Sequence, residues 1–419
     1  MIHQFLKYLH QQDIDYALLN GYDKLEELSN SNSDVDILFK KKHFKRIEKI
    51  IRSFCEQANY KIVQIYHQEV WAKNIFLYDE TNQQFLNLDL YGELSRMKTF
   101  YFKEDEVFQN LEKHNDLPIL APHQEFVYYL IKKLIKNDLL LANFNHLRKL
   151  YLKDTKQCKL ATQKFFPNKY TLVFDAFKNS TYDTLLILRA VLVNDILKNK
   201  SISLPNFFFN VFRVLKRILK PTGISISFLG PDGAGKSTII KNLVASNLPY
   251  RRNDYFHLKP IKSKLNTTHE VVSDPHKFEP YSKLKSYIKL LFFIKQYNYG
   301  WIKNIAALKI RSSLIIFDRF YDDVLVDNRR YRYGGNIKIA KLVRAFIPKP
   351  ALYFVLTADA NVIHQRKKEV SYKELERQII AYQSLTDQKR YYSIDVNRTP
   401  EAITTEIIHI LMKKMHERY

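Results

Sequence analysis

The sequence predicts an α/β protein with two principal parts. The C-terminal part is a three-layer fold on a parallel sheet, and an α+β domain with a helical extension precedes it. Three observations predict this. The glycine-rich segment from Gly230 to Ser237, GPDGAGKS, lies between an apolar run suited to a buried strand and a segment suited to a helix. After it, the apolar runs SLIIFD and ALYFVLT are separated by helical stretches. Before it, short strand-like runs give way to a long amphipathic region from about residue 118 to 200.

A chain of 419 residues is long for one core. The expected divisions are 1–116, a helical part over 117–204, a basic amphipathic linker over 205–222, and 223–419. With 46% hydrophobic and 14% aromatic residues, the chain is globular rather than disordered. Cys55 and Cys158 have neither metal-ligand nor redox spacing and read as thiols in a reducing compartment. The first residues lack a signal-peptide pattern and no run is long enough to span a bilayer, so a cytoplasmic location is expected. A net charge of +24 favours anionic partners, but the basic residues are spread along a chain rich in Lys, Asn, Ile, Tyr and Phe. Nucleic acid is therefore not the expected partner, and a homodimer is compatible with the sequence.

In chain order, Tyr16 to Leu19 reads as a strand and Asn20-Gly21-Tyr22 as a turn. A polar loop then leads into Asp34-Val-Asp36-Ile-Leu-Phe39, where period-two alternation puts Asp34 and Asp36 on one strand face. A helix follows over His43 to Ala58. Asp89 lies inside another strand-like run, a costly place for a carboxylate without a partner. Pro205 to Lys220 is basic and amphipathic, which suits a helix docked between domains or, as the alternative, one lying on the inner membrane surface.

The segment from Gly230 to Ser237 fits G-x-x-x-x-G-K-[ST], a loop whose backbone amides cradle a triphosphate. Gly230, Asp232, Gly233, Gly235, Lys236, Ser237 and Thr238 are the expected contacts to ATP. Lys236, read as an exposed electrostatic group, reaches the phosphates, and the Ser237 hydroxyl is suited to Mg²⁺. Tyr255 to Leu258 reads as a second strand, and Tyr281 to Ile310 as helical. The strand Leu314 to Phe317 delivers Asp318 and Arg319 to the sheet edge where ligands bind in open α/β folds. Asp318 suits Mg²⁺ or an acceptor proton, and Arg319 a phosphate. The segment Asp327 to Gly335 follows, rich in arginine. A later helix carrying Arg366, Lys367 and Lys368 before Glu369 can form a basic lid. A short strand, SIDV, precedes a last helix opened by Thr399-Pro400-Glu401.

These residues resemble the thymidylate kinase family of P-loop kinases. GPDGAGKST, the strand ending in Asp318-Arg319, and the R-K-K-E segment occur in the family's order. VDNRRYRYGG, Val326 to Gly335, is similar to divergent members associated with bacterial surface-polysaccharide genes. The resemblance implies a kinase using ATP and Mg²⁺, with Lys236, Asp318, Arg319, Arg366 and Lys367 catalytic. Two departures bear on the acceptor. Ala234 stands where some members carry Arg, and the R-E-P-G-G segment that grips thymidylate is replaced by His257-Leu-Lys259-Pro-Ile-Lys262. The first hundred residues resemble the nucleotidyltransferase-like domains of the polymerase-β superfamily, which implies Mg²⁺ at Asp34, Asp36 and Asp89; Tyr22 departs from the small residue usual after the turn glycine. The expected reaction is phosphorylation of a small anionic or sugar-like acceptor. The alternatives are a nucleoside-monophosphate kinase and, from another class, a basic nucleic-acid-binding NTPase, for which no helicase-like second motif is present.

Overall fold

Val35, Ile37 and Phe39 alternate with Asp34, Asp36 and Leu38, and in the computed structural model this alternation separates two cores. Residues 1–25, 34–96, 99–198, 204–261, 276–367 and 370–419 are described. The Asn- and Ser-rich loop before Asp34, together with Lys262, Lys368 and Glu369, lies outside them. The chain divides into two compact units, Met1–Val214 with Tyr419, and Leu215–Arg418.

The first unit holds a seven-stranded mixed sheet. Its spatial order is Lys61–Glu69, Ala72–Asp79, Gln84–Tyr91, Asp34–Phe39, Tyr16–Leu18, Leu117–Ile119 and Glu112–His114. The sheet thus runs past residue 116, because Ile119 pairs in parallel with Leu18. On one face Val35, Ile37, Phe39, Leu88 and Leu90 pack with Phe5 and Leu9 of helix Ile2–Gln11 and with Ile47, Ile51 and Phe54 of helix Ile47–Ala58. The expected single helix over 43–58 is two pieces, Lys41–Phe44 and Ile47–Ala58. On the other face Ala17, Leu38 and Tyr91 join a core formed with the helices between Pro122 and Lys198. Each fully buried Ile, Leu or Phe contributes about 1.5–3 kcal/mol of burial.

In the second unit five strands are all parallel, in the spatial order Arg252–His257, Ser313–Asp318, Ile224–Leu229, Leu352–Thr357 and Tyr391–Asp395. The central three are buried at every position, as continuous apolar runs covered on both faces require. The loop-bearing strand Ile224–Leu229 lies between Ser313–Asp318 and Leu352–Thr357, so the phosphate loop and Asp318 emerge side by side at the C-terminal edge. The helical region expected over 281–310 is Lys283–Gly300, continued by a π-helical turn Trp301–Ala306 and by Ala307–Ile310. Thr399 caps the last helix, its hydroxyl accepting from the Ala402 amide, with Pro400 in the first turn.

Helix Leu204–Leu219 contains the division between the units and exposes Phe207, Phe208, Phe212 and Leu219. No helix among the described residues is long and apolar enough to cross a membrane.

Candidate functional site

The loop after Ile224–Leu229 depends on missing Cβ atoms. Gly230 has φ +140°, and a Cβ there would stand 2.6 Å from the Leu356 carbonyl oxygen, so the loop can leave the sheet only with glycine. Gly233, at φ +87°, lets the Lys367 side chain close over it, with Lys367 Cβ 3.1 Å from where its own Cβ would be. Gly235 caps helix Lys236–Ala245 in the left-handed region, and the helix N-terminus points its free amides toward the loop.

Lys236 is buried, not exposed as its sequence context suggested. Its ammonium donates to the Gly230 and Pro231 carbonyls, each at 2.8 Å. The loop folds around the side chain because those carbonyls turn inward to meet the charge. Burial, with Arg319 alongside, lowers the Lys236 ammonium to about 8, against the opposing pull of Asp232 and Asp318. Ser237 and Thr238 are exposed at the helix start.

Asp318 ends its strand 91% buried. Tyr255, on the neighbouring strand, donates to its Oδ2 at 3.0 Å, whereas Oδ1 has no hydrogen-bond partner among the described residues. Burial and the Asp318 charge raise the Tyr255 phenol, so it stays a donor. A buried carboxylate oxygen without a partner costs free energy, which a cation or an acceptor hydroxyl would recover.

Arg319 adopts φ +68°, a conformation that costs a non-glycine residue of order 1–3 kcal/mol. That geometry sends its guanidinium back beneath the loop. There it donates to Asp323 at 2.7 Å and to Asp232, and Arg330 holds the second oxygen of Asp232. Burial acts to raise the Asp323 carboxyl. The Arg319 charge and the hydroxyls of Tyr331 and Tyr382 outweigh burial and hold the carboxyl below its usual range. Arg319 is therefore a strut under the phosphate loop, with Asp232 as the carboxylate it shares with Arg330.

The loop, Asp318, Arg319, Arg330, Arg366, Lys367 and Arg398 line a cleft of about 540 Å³. That volume suits a nucleotide-sized ligand. Arg366 ends helix Ala360–Arg366, and Lys367 is already extended at φ −156°. The helix expected to carry both thus stops between them, since Lys367 must turn to lie over Gly233. Sequence reasoning missed Arg398, which follows the last strand, and Tyr255; neither belongs to a motif. A separate cluster, His276, Asp327 and Glu374, brings ligand atoms within 4.8 Å of one another. Its groups are already engaged: Glu374 by Arg377 and Gln378, Asp327 by His276 and the Arg330 amide.

In the first unit Asp36 and Asp89 are register partners on adjacent parallel strands, so Asp34, Asp36 and Asp89 share a face. Lys132 of helix Pro122–Lys136 reaches Asp36 Oδ2 at 2.5 Å, and Tyr91 donates to Oδ1 at 3.2 Å. Asn74 donates to Asp89 at 2.5 Å, and Asn87 to Asp34. Burial, then the charges of Asp36 and Asp34, push Asp89 up to about 6, and burial with Asp36 raises Asp34. These acids repel one another even with Lys132 among them. Lys132 escaped sequence reasoning because it lies 96 residues from Asp36. Tyr22 points inward, its hydroxyl 2.8 Å from buried Glu125.

Residues 228–407 match the family model for Thymidylate kinase. Two curated relatives, the thymidylate kinases of Lacticaseibacillus casei and Lacticaseibacillus paracasei, are each 22% identical over 222 residues. The match covers 47% of this chain and 99% of theirs. Among solved structures, the thymidylate kinase of Ehrlichia chaffeensis aligns at 18% identity and TM-score 0.34, covering 46% of this chain and 100% of its own. That of Candida albicans aligns at 20% and 0.36, covering 47% and 95%. The C-terminal half of the chain is thus a thymidylate kinase-like domain.

Proposed function

We propose that the C-terminal unit transfers the γ-phosphoryl group of ATP to a small acceptor that is sugar-like or already phosphorylated. The observation that carries this is the unpartnered Asp318 oxygen beside a complete phosphate loop in a cleft lined by Lys236, Arg319, Arg330, Arg366, Lys367 and Arg398. Six cations and two carboxylates, Asp232 and Asp318, line the cleft, and Asp323 and Glu406 behind it pair with Arg319 and Arg398, which leaves an excess of positive charge. That excess suits a triphosphate together with a second anion.

In the reaction an acceptor oxygen forms a bond to the γ-phosphorus as the bond to the bridging oxygen of ATP breaks, and ADP leaves with that electron pair. The acceptor proton passes to Asp318, which Tyr255 holds in position. Lys367, over Gly233, and Arg366 in the cleft lining shield charge on the transferring group. The donor set fits Mg²⁺: Ser237 would hold it, and bound there it would neutralise phosphate charge. The free Asp318 oxygen takes the acceptor proton in this scheme, and would be a second Mg²⁺ ligand only if that proton left with the phosphoryl group.

Purified protein with labelled ATP, screened against sugars, sugar phosphates and nucleotides, is the test. Transfer to none of them would overturn the proposal. The family match supports a second reading, a nucleoside-monophosphate kinase. We expect thymidylate to be the poorer acceptor, because the segment that would grip it is replaced around His257 to Lys259; unmatched polar groups can cost up to about 10⁴-fold. A kcat/KM clearly favouring thymidylate over the best sugar-type acceptor would establish the second reading. The motif Val326 to Gly335 supports a role in surface-polysaccharide synthesis.

For the first unit, three acids on one sheet face support a nucleotidyltransferase-like site. Mg²⁺ there would have to displace Lys132 from Asp36 and draw together acids that do not group as metal ligands among the described residues. Asp34→Asn with Asp36→Asn should leave kinase turnover intact and remove a second, Mg²⁺-dependent nucleotide-consuming step. Absence of such a step in the wild type with every nucleoside triphosphate would refute this reading.

A further inference from the structure

Lys259, in the segment that stands in place of the thymidylate grip, is grouped with Lys289 and Arg332 among aromatic rings. Lys259 lies two residues beyond His257 of the cleft wall, and its ammonium is 5.0 Å from the Phe293 ring centre. Lys289, on helix Lys283–Gly300, sits 5.8 Å from the same ring and 5.2 Å from that of Tyr281. Arg332, two residues beyond cleft-lining Arg330, stacks on Tyr281 at 4.2 Å. All three are half-buried.

Among the described residues, no carboxylate pairs with any of them. Lys289 donates to the Tyr331 carbonyl and Arg332 to that of Glu279 at 3.1 Å. Burial lowers the Lys259 ammonium; burial, then the charges of Lys259 and Arg332, lowers that of Lys289. The backbone fixes the arrangement. The Tyr281 amide donates to the Arg332 carbonyl at 2.9 Å and the Gly334 amide to Ser286 Oγ at 2.9 Å. A Cβ on Gly334 would stand 2.3 Å from the Tyr281 carbonyl oxygen, so the close approach of these segments requires glycine. Mutually repelling cations, partly desolvated and built on a pinned backbone, cost stability unless an anion joins them.

We propose that Lys259, Lys289 and Arg332 form an oxyanion-binding half of the acceptor subsite, selecting a small acceptor that carries a phosphate or carboxylate apart from its phosphoryl-accepting oxygen. This rests on the kinase reading. The aromatic faces of Phe293 and Tyr281 hold the cations in place, and the cations take the anionic group. A neutral acceptor would leave them unpaired, so discrimination comes from both attraction and cost.

The test uses the full chain saturated with Mg²⁺ and a non-hydrolysable ATP analogue, titrated calorimetrically with inorganic phosphate and, separately, with acetate. The wild type should bind phosphate, acetate, or both. Lys259→Gln with Lys289→Gln should weaken that binding at least about tenfold, one lost charge-assisted contact or more, without changing analogue affinity. Lys289→Arg should retain it. Equal affinity in the wild type and the double variant would overturn the proposal, as would binding of neither anion once the analogue is present. In a turnover arm, glucose 6-phosphate and glucuronate are compared with glucose, and at least one anionic sugar should exceed glucose in kcat/KM, with the excess lost in the double variant. Preference for neutral glucose would overturn the proposal while sustaining the kinase. Should none of these three turn over, the kinase reading is decided by the wider acceptor screen and the titrations still decide the anion site.

Discussion

Replacing Lys236 by Met tests the buried ammonium directly. In the folded protein this group titrates at about 8 rather than near 10.5, because burial and Arg319 disfavour its charged form. Between those two values the unfolded chain keeps a proton that the folded chain has shed. Stability of the wild type therefore rises with pH across this window, and the burial penalty is fully expressed below pH 8. A shift from 10.5 to about 8, at 1.36 kcal/mol per unit, corresponds to about 3 kcal/mol. The stability difference, wild type minus Lys236→Met, should grow by about that amount from pH 7.5 to 10.5; titration of groups common to both cancels in the difference. Urea unfolding of both proteins across this range supplies the measurement, following the transition that a Mg²⁺–ATP analogue shifts in the wild type, since two units need not unfold together. At pH 7.5 the variant should also lose at least about 10²-fold in turnover, the order expected when a charge-stabilising donor is removed. A difference that stays flat with pH would refute the buried-ammonium argument, and wild-type turnover in the variant would refute the phosphate-loop assignment.

Other outcomes follow from single contacts. Gly230→Ala places a Cβ against the Leu356 carbonyl at a φ suited to glycine. It should destabilise the second unit by about 2 kcal/mol or more and abolish nucleotide binding, as thermal unfolding and analogue titration will read. Arg344 donates to buried Asp322 at 2.7 Å and to the hydroxyls of Tyr353 and Tyr391. Arg344→Met should cost about 3–5 kcal/mol by leaving Asp322 uncompensated, and Asp322→Asn in that background should restore part of it; no restoration in urea melts would contradict the ion-pair account. Burial pushes both Cys55 and Cys158 up to about 12. A thiol reagent at pH 7.5 should label neither until urea unfolds the chain, and rapid native labelling would contradict their burial.

What the sequence by itself determined is local. The spacing of Gly230, Gly233, Gly235 and Lys236 dictates a loop that only those backbones can form, and period-two alternation puts Asp34 and Asp36 on one face. The apolar runs ending in Asp318 and Thr357 read as strands because continuous burial on two faces leaves no room for polar side chains. Tertiary structure alone decided which distant residues answer those groups. Lys132 meets Asp36 from a helix 96 positions away, Tyr382 meets Asp323 across 59, and Arg330 meets Asp232 across 98. It also turned Lys236 inward and spent the Arg319 fork on carboxylates, since neither burial nor a left-handed backbone is legible in residue type. The physical reason is range. Propensity and periodicity act over a few residues, whereas the partner of a buried charge is chosen by the packing of whole elements, and desolvation makes that choice consequential.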